Sequence, residues 1–184
     1  MSSDAEDAPS VLDFWFGDVS PDRRFAKDPA LDRIIEERFG ALRDTVLASD
    51  AMEWRDTPDR LLAAVILLDQ FSRNMHRGGA QAFAADPLAR SLTLQALSSG
   101  WEDRYTSDQL LFLYLPLAHA EDAKMQALSV AKYEALGDSK ALSAARDHAE
   151  VIRRYGRFPS RNQALARSST AAEDLYLKET KHSW

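Results

Sequence analysis

Residues able to bind an anion, share a hydrogen bond or move a proton crowd into one short stretch, LLDQFSRNMHRG (67–78), as Asp69, Gln70, Arg73, Asn74, His76 and Arg77. They follow directly on LLAAVILL (61–68), a run that is apolar on every side of a helix. At the helical step of about 100° per residue, Leu61, Val65, Asp69, Ser72 and His76 fall within about 80° of one another. Asp69 therefore projects from a buried stripe, where an unpaired carboxylate is expensive and calls for a cationic or multi-donor partner. Arg73 stands at i+4, where acid and base can pair. Two readings fit: a buried ion pair that locks this helix to another segment, or one wall of a polar pocket at the end of the core.

A second concentration of charge lies in RRYGRFPSRNQALAR (153–167), which holds Arg153, Arg154, Arg157, Arg161 and Arg167 with no acid and no lysine. Arginine without lysine suits planar, bidentate recognition of carboxylate or phosphate. Gly156 and Phe158-Pro159 indicate an ordered turn. The same arginines could instead cap helix ends and pair with acids, and the single contact expected above all others joins Asp69 to one of them.

The histidines are His76, His119, His148 and His182. His148 shares a helical face with Ala141, Ala144, Ala145, Ile152 and Tyr155 and reads as a core histidine. His119, beside Glu121 and Asp122, is either a helix-end contact or a pocket base. No HxxxH or HExxH spacing occurs, so no protein-ligated metal is expected. The Walker loop, GxGxxG and the GxSxG elbow are missing too, and no cofactor is expected.

The elements that must position these groups are helices. Asp28-Pro29 opens one that runs to about Ala48, with Leu31, Ile34, Ile35, Phe39 and Leu42 on a stripe. Thr57-Pro58 repeats the device ahead of the opening stretch, and Asp86-Pro87 does so again, up to Gly100. Ser107 opens the next, and the apolar run LLFLYLPLA (110–118) carries Pro116, which is predicted to kink it at a cost of roughly 3 kcal/mol. Gly137-Asp138 breaks the chain before a helix from about Ser139 to Tyr155. Thr170-x-x-Glu173 reads as a capping box for the last. Residues 1–9 read as a disordered tail, with Ser10 capping a short helix VLDFWF that Gly17 ends. No strand alternation or hairpin turn is present. The fold class is all-α, seven or eight helices in antiparallel pairs, with 10–184 as one domain.

Composition narrows the function. In 184 residues, 45% hydrophobic and 28% charged, the chain can build a full core. A formal net charge of −6 argues against nucleic acid as a partner. Zero cysteines exclude disulfides and thiolate chemistry. The apolar runs fall far short of the roughly 20 residues a bilayer needs, and no basic amphipathic helix suggests membrane docking. The start, MSSDAEDAPS, has no secretory signal, and a cytoplasmic location is expected.

Five blocks, VLDFWFG (11–17), WRDTP (54–58), ILLDQFSRN (66–74), FLYLPLAHAED (112–122) and GRFPSRNQALARSST (156–170), resemble in order an uncharacterised bacterial family catalogued as a domain of unknown function. The resemblance implies a tetratricopeptide-like fold, helix pairs stacked into a right-handed superhelix, over about Val11 to Leu177. It implies no activity. The family's polar motif positions correspond to Asp69, Gln70, Arg73, Asn74, His119, Glu121, Arg157, Arg161 and Asn162. Relatives often carry proline at Ser72, an apolar or aromatic residue near His76, and histidine at Ser160, which weakens any catalytic case for His76.

The expected function is binding, of a peptide or protein partner or of a small anionic ligand, through that Arg/Asp/His cluster on a helical-repeat-like scaffold. The alternative is an enzyme acting on a small phosphorylated or carboxylated metabolite, with Asp69 or His119 as acid or base. Fold class alone does not choose.

Overall fold

Short-range capping chemistry sets where the helices begin. The computed structural model describes residues 4–180, which are all-helical with no strand. They divide into two compact units, residues 4–77 with 81–113 and residues 78–80 with 114–180.

The first unit starts with α1 (Asp4–Leu12), which runs straight into a π-helical turn, Asp13–Asp18. Helix thus begins ahead of Ser10, and residues 4–9 of the expected tail are helical; Met1–Ser3 lie outside the described residues. After α2 (Pro21–Arg24) comes α3 (Pro29–Ala48), whose cap Asp28 accepts from the N–H groups of Ala30 and Leu31. Leu31, Ile35 and Phe39 of its stripe are buried, whereas Ile34 stays exposed. Thr57 caps α4 (Pro58–Val65), a contribution of about 1 kcal/mol. Then the chain widens into a second π-helical turn, Ile66–Phe71, before α5 (Ser72–Met75). Every residue from 61 to 72 is buried, as a helix apolar all round must be.

Helix α4 packs against α1 and α6 (Asp86–Ser98), and α3 lies on the π-helical turn and α5. Phe14, Trp15, Phe39, Phe71 and Phe112 interlock in this core, with ring centroids 5.1–6.0 Å apart. Asp86 does not cap α6. The cap position is Ala85, and the Asp86 carboxylate is held by Arg73 instead. Helix α7 (Ser107–Leu113) opens on Thr106 rather than Ser107: Thr106 Oγ1 accepts from Gln109 N–H and Gln109 Oε1 from Thr106 N–H.

The second unit begins where Pro116 acts. The helix expected over 110–118 is interrupted at Tyr114, just ahead of Pro116, and α8 (Leu115–Ala118) carries the proline in its first turn. Helices α9 (Ala123–Leu136) and α10 (Ser139–Tyr155) pack as a hairpin about Gly137, whose φ of 78° ends α9, while Asp138 caps α10. Gln126 on α9 donates both amide hydrogens, to the carbonyls of Ala118 and Ala120 at 2.7 Å, tying α8 to α9. The final helix, α11 (Ala171–Glu179), starts with the expected Thr170–Glu173 capping box. Among the described residues no helix is long and apolar enough to cross a membrane.

Candidate functional site

In the first unit the oily helix delivers Asp69 to a position 1% exposed. Its carboxylate lies 3.2 Å from Arg73 Nη1 and accepts from Gln70 Nε2 at 2.6 Å. Arg73 does more than close this i+4 pair. Its Nη1 and Nη2 reach the two Asp86 oxygens at 2.8 and 3.0 Å, and Nη1 also donates to the Asp69 carbonyl at 3.0 Å. Burial works against its charge, but the two carboxylates outweigh that and raise its pKa. One turn on, Asn74 Nδ2 and the Arg77 guanidinium both bind Asp32 of α3, at 2.6–2.8 Å. His76, half-buried, ends α5.

The second unit gathers the remaining candidates. Arg157 grips Glu173 with two parallel bonds of 2.7 and 2.8 Å, and Nη2 also donates to the Ser168 carbonyl. Those bonds, against the effect of burial and with help from the Thr170 N–H, hold the Glu173 carboxyl at about 2. Arg167 does the same to Glu121 at 2.7 and 2.9 Å, while the Phe158 N–H donates to Glu121 Oε1 at 2.7 Å. Burial pushes the Glu121 carboxyl up; Arg167 and the Phe158 amide overcome it and hold it below its ordinary value. Asn162 ties the two pairs together, accepting from Arg167 Nε at 3.0 Å and donating to Glu173 Oε2 at 3.5 Å as well as to Ser169 Oγ. Arg161 is buried in the turn Pro159–Arg161 with its guanidinium 4.5 Å from the Phe158 ring centre.

Phe158 also meets His148 edge-on at 5.6 Å, and the His148 ring stands 6.1 Å from that of His119. His148 is buried, as expected, and its Nδ1 lies 2.6 Å from the Ala144 carbonyl. A carbonyl only accepts, so Nδ1 carries a hydrogen. His119 ends α8, half-buried, between the two carbonyls that Gln126 clamps. Among the described residues no three His, Asp or Glu side chains converge as a metal-holding set. His182 lies outside the described residues.

Sequence reasoning paired Arg73 with Asp69, as observed, but did not name the acceptors of Arg157 and Arg167. Glu173 was visible only as a cap residue, Asp86 only as a supposed cap, and Asp32 not at all. It also missed an open groove of about 490 Å³ beside the end of α10, floored by Tyr155 and Tyr176 and edged by Arg153, Arg154, Leu175 and Glu179. A large apolar side chain left 57% exposed, Leu175, marks it.

Residues 11–181 match the model of a family described as bacterial protein of unknown function, DUF924. No curated protein matches the chain. A solved structure of a protein of unknown function from Agrobacterium tumefaciens is similar at 35% identity and a TM-score of 0.92, covering 97% of this chain and 100% of that one.

Proposed function

The chain belongs to the DUF924 family of bacterial proteins of unknown function, and from that premise we propose that it is a binding module for another polypeptide. One observation carries the reading: most of the candidate polar groups are spent on one another. Arg73 serves Asp69 and Asp86, Asn74 serves Asp32, Arg157 serves Glu173 and Arg167 serves Glu121. Bidentate pairs of this kind act as braces between segments; breaking one strands a charge. The α9–α10 hairpin is the kind of unit from which helical-repeat scaffolds build partner surfaces.

A second reading, an enzyme for a small phosphorylated or carboxylated metabolite, is favoured by the approach of His119 to His148. The two are separated by melting the protein against phosphate, nucleotides and short carboxylates, and by panning it against a displayed peptide library. Saturation at about 100 times the dissociation constant would stabilise by about 2.7 kcal/mol. The binding-module reading expects flat melts with every small anion and saturable peptide clones. Arg157→Gln is expected to lower the melting temperature while leaving peptide affinity unchanged. A rise of several degrees with one anion, abolished in His148→Gln, would overturn the polypeptide reading in favour of a small-anion site, and chemical conversion of that anion would make it the enzyme of the second reading.

A further inference from the structure

The groove at the end of α10 has the composition of a recognition site rather than of a packing defect. Its floor is the Tyr155–Tyr176 pair, with ring centres 5.2 Å apart, set on the core of Val151, Ile152 and Phe158. Leu175 projects beside it, exposed where a helix facing water would ordinarily carry a polar residue. The two arginines at the rim are not equivalent. Arg153 is held by Glu150 on the previous turn through two bonds of 2.7 Å. Arg154, exposed, forms no ion pair among the described residues, and its guanidinium lies over the Tyr155 ring, 5.0 Å from the centre. A guanidinium laid on an aromatic face keeps its in-plane N–H groups directed outward, the geometry in which it takes a carboxylate bidentately. Glu179, on the last turn of α11, gives the groove an acidic side as well.

We propose that this groove binds a short peptide segment of a partner protein, with an apolar side chain on Leu175 and the tyrosine pair and an adjacent Asp or Glu on Arg154. The proposal rests on the binding-module reading and names its surface and partner chemistry. The argument for an acidic, apolar occupant is complementarity: one accessible guanidinium is poised beside exposed hydrocarbon, in a groove of ligand-site size.

The test uses fluorescein-labelled dodecapeptides carrying Leu-Phe flanked by Asp-Glu, by Ser-Ser or by Lys-Arg, read by fluorescence polarisation with the full chain. The acid-flanked peptide is expected to bind at least about tenfold more tightly than the lysine-flanked one at low salt, with the difference shrinking as salt screens it. Arg154→Glu should reverse that preference and Leu175→Asp should weaken all binding by about tenfold or more, while Arg33→Glu on the exposed face of α3 changes nothing. Both groove substitutions are at exposed positions, so folding is preserved, and unchanged circular dichroism verifies it. Peptides that bind with no sensitivity to either variant would overturn the groove assignment and leave the binding-module reading standing. Absence of binding by any of these peptides, when library clones do bind, would overturn the proposed chemistry alone. If truncation after Thr180 tightened peptide binding about tenfold, the chain's own end would be the occupant, and a dimer lost in Leu175→Asp would make it a second copy. Either result would overturn the proposal.

Discussion

Ala166 holds φ at 52°, a left-handed conformation that costs a residue with a Cβ roughly 1–2 kcal/mol. The reason lies one residue on. That turn folds Arg167 back so that its N–H donates to the Asn162 carbonyl at 2.8 Å and its guanidinium faces Glu121. The exposed methyl of Ala166 contributes little burial, so Ala166→Gly should raise stability by a few tenths to about 1 kcal/mol, the strain relieved exceeding the extra chain entropy. A denaturant midpoint equal to or below wild type would show that the turn is not strained. The residue scale also marks the limit of what one chain of letters discloses. Asp69 was legible as buried because its neighbours are apolar for two turns, and Arg73 as its partner because i+4 is a local relation. Arg157, Asn162 and Arg167 were legible as polar and ordered, but not as members of a network with Glu121 and Glu173, since those acceptors lie 11 to 46 positions away along the chain.

Elements were readable wherever the signal is local. Asp28, Thr57 and Thr170 each cap the helix that follows them, because a cap is a contact between a side chain and an N–H two or three residues on. Asp86 failed for the complementary reason: Arg73, thirteen residues earlier, outcompetes its own helix for the carboxylate. The two π-helical turns were invisible, since an apolar run has the same composition at either pitch. Pro116 gives this scale its prediction. Inside a continuous helix its replacement by alanine would gain about 3 kcal/mol. Here α7 has already ended at Leu113, and the proline occupies the first turn of α8, buried, where its missing N–H costs nothing. Pro116→Ala should therefore destabilise by about 1–2 kcal/mol, from lost ring burial and a looser unfolded chain. Urea unfolding decides it by sign alone, for a gain in stability would mean that the break at Tyr114 is imposed by the proline against an otherwise continuous helix.

At the scale of the molecule, 29 acidic residues against 23 basic ones leave an acidic chain, and the largely buried guanidinium groups of Arg24, Arg43 and Arg73 are each matched to a carboxylate. Acid is thus expected to unfold the protein through specific groups rather than through net charge. Hydrogen bonds from Arg157 hold Glu173 at about 2 against an ordinary 4.5, the guanidinium of Arg23 holds Asp28 down, and Arg167 outweighs burial to do so for Glu121. A carboxyl whose pKa is depressed by folding binds its proton more readily once unfolded. Stability therefore rises with pH across that window, and the share due to Glu173 is complete above 4.5 and lost as pH falls towards about 2. Glu173→Gln should lower stability near neutral pH, where the charged pair operates, and should also flatten the acid limb. Denaturant midpoints of wild type and variant, measured between about pH 7 and pH 3, are expected to converge as the pH drops. Parallel lines would mean that the Arg157 pair adds nothing to folding beyond its neutral hydrogen bonds, and the brace on which the binding-module reading depends would have to be sought elsewhere.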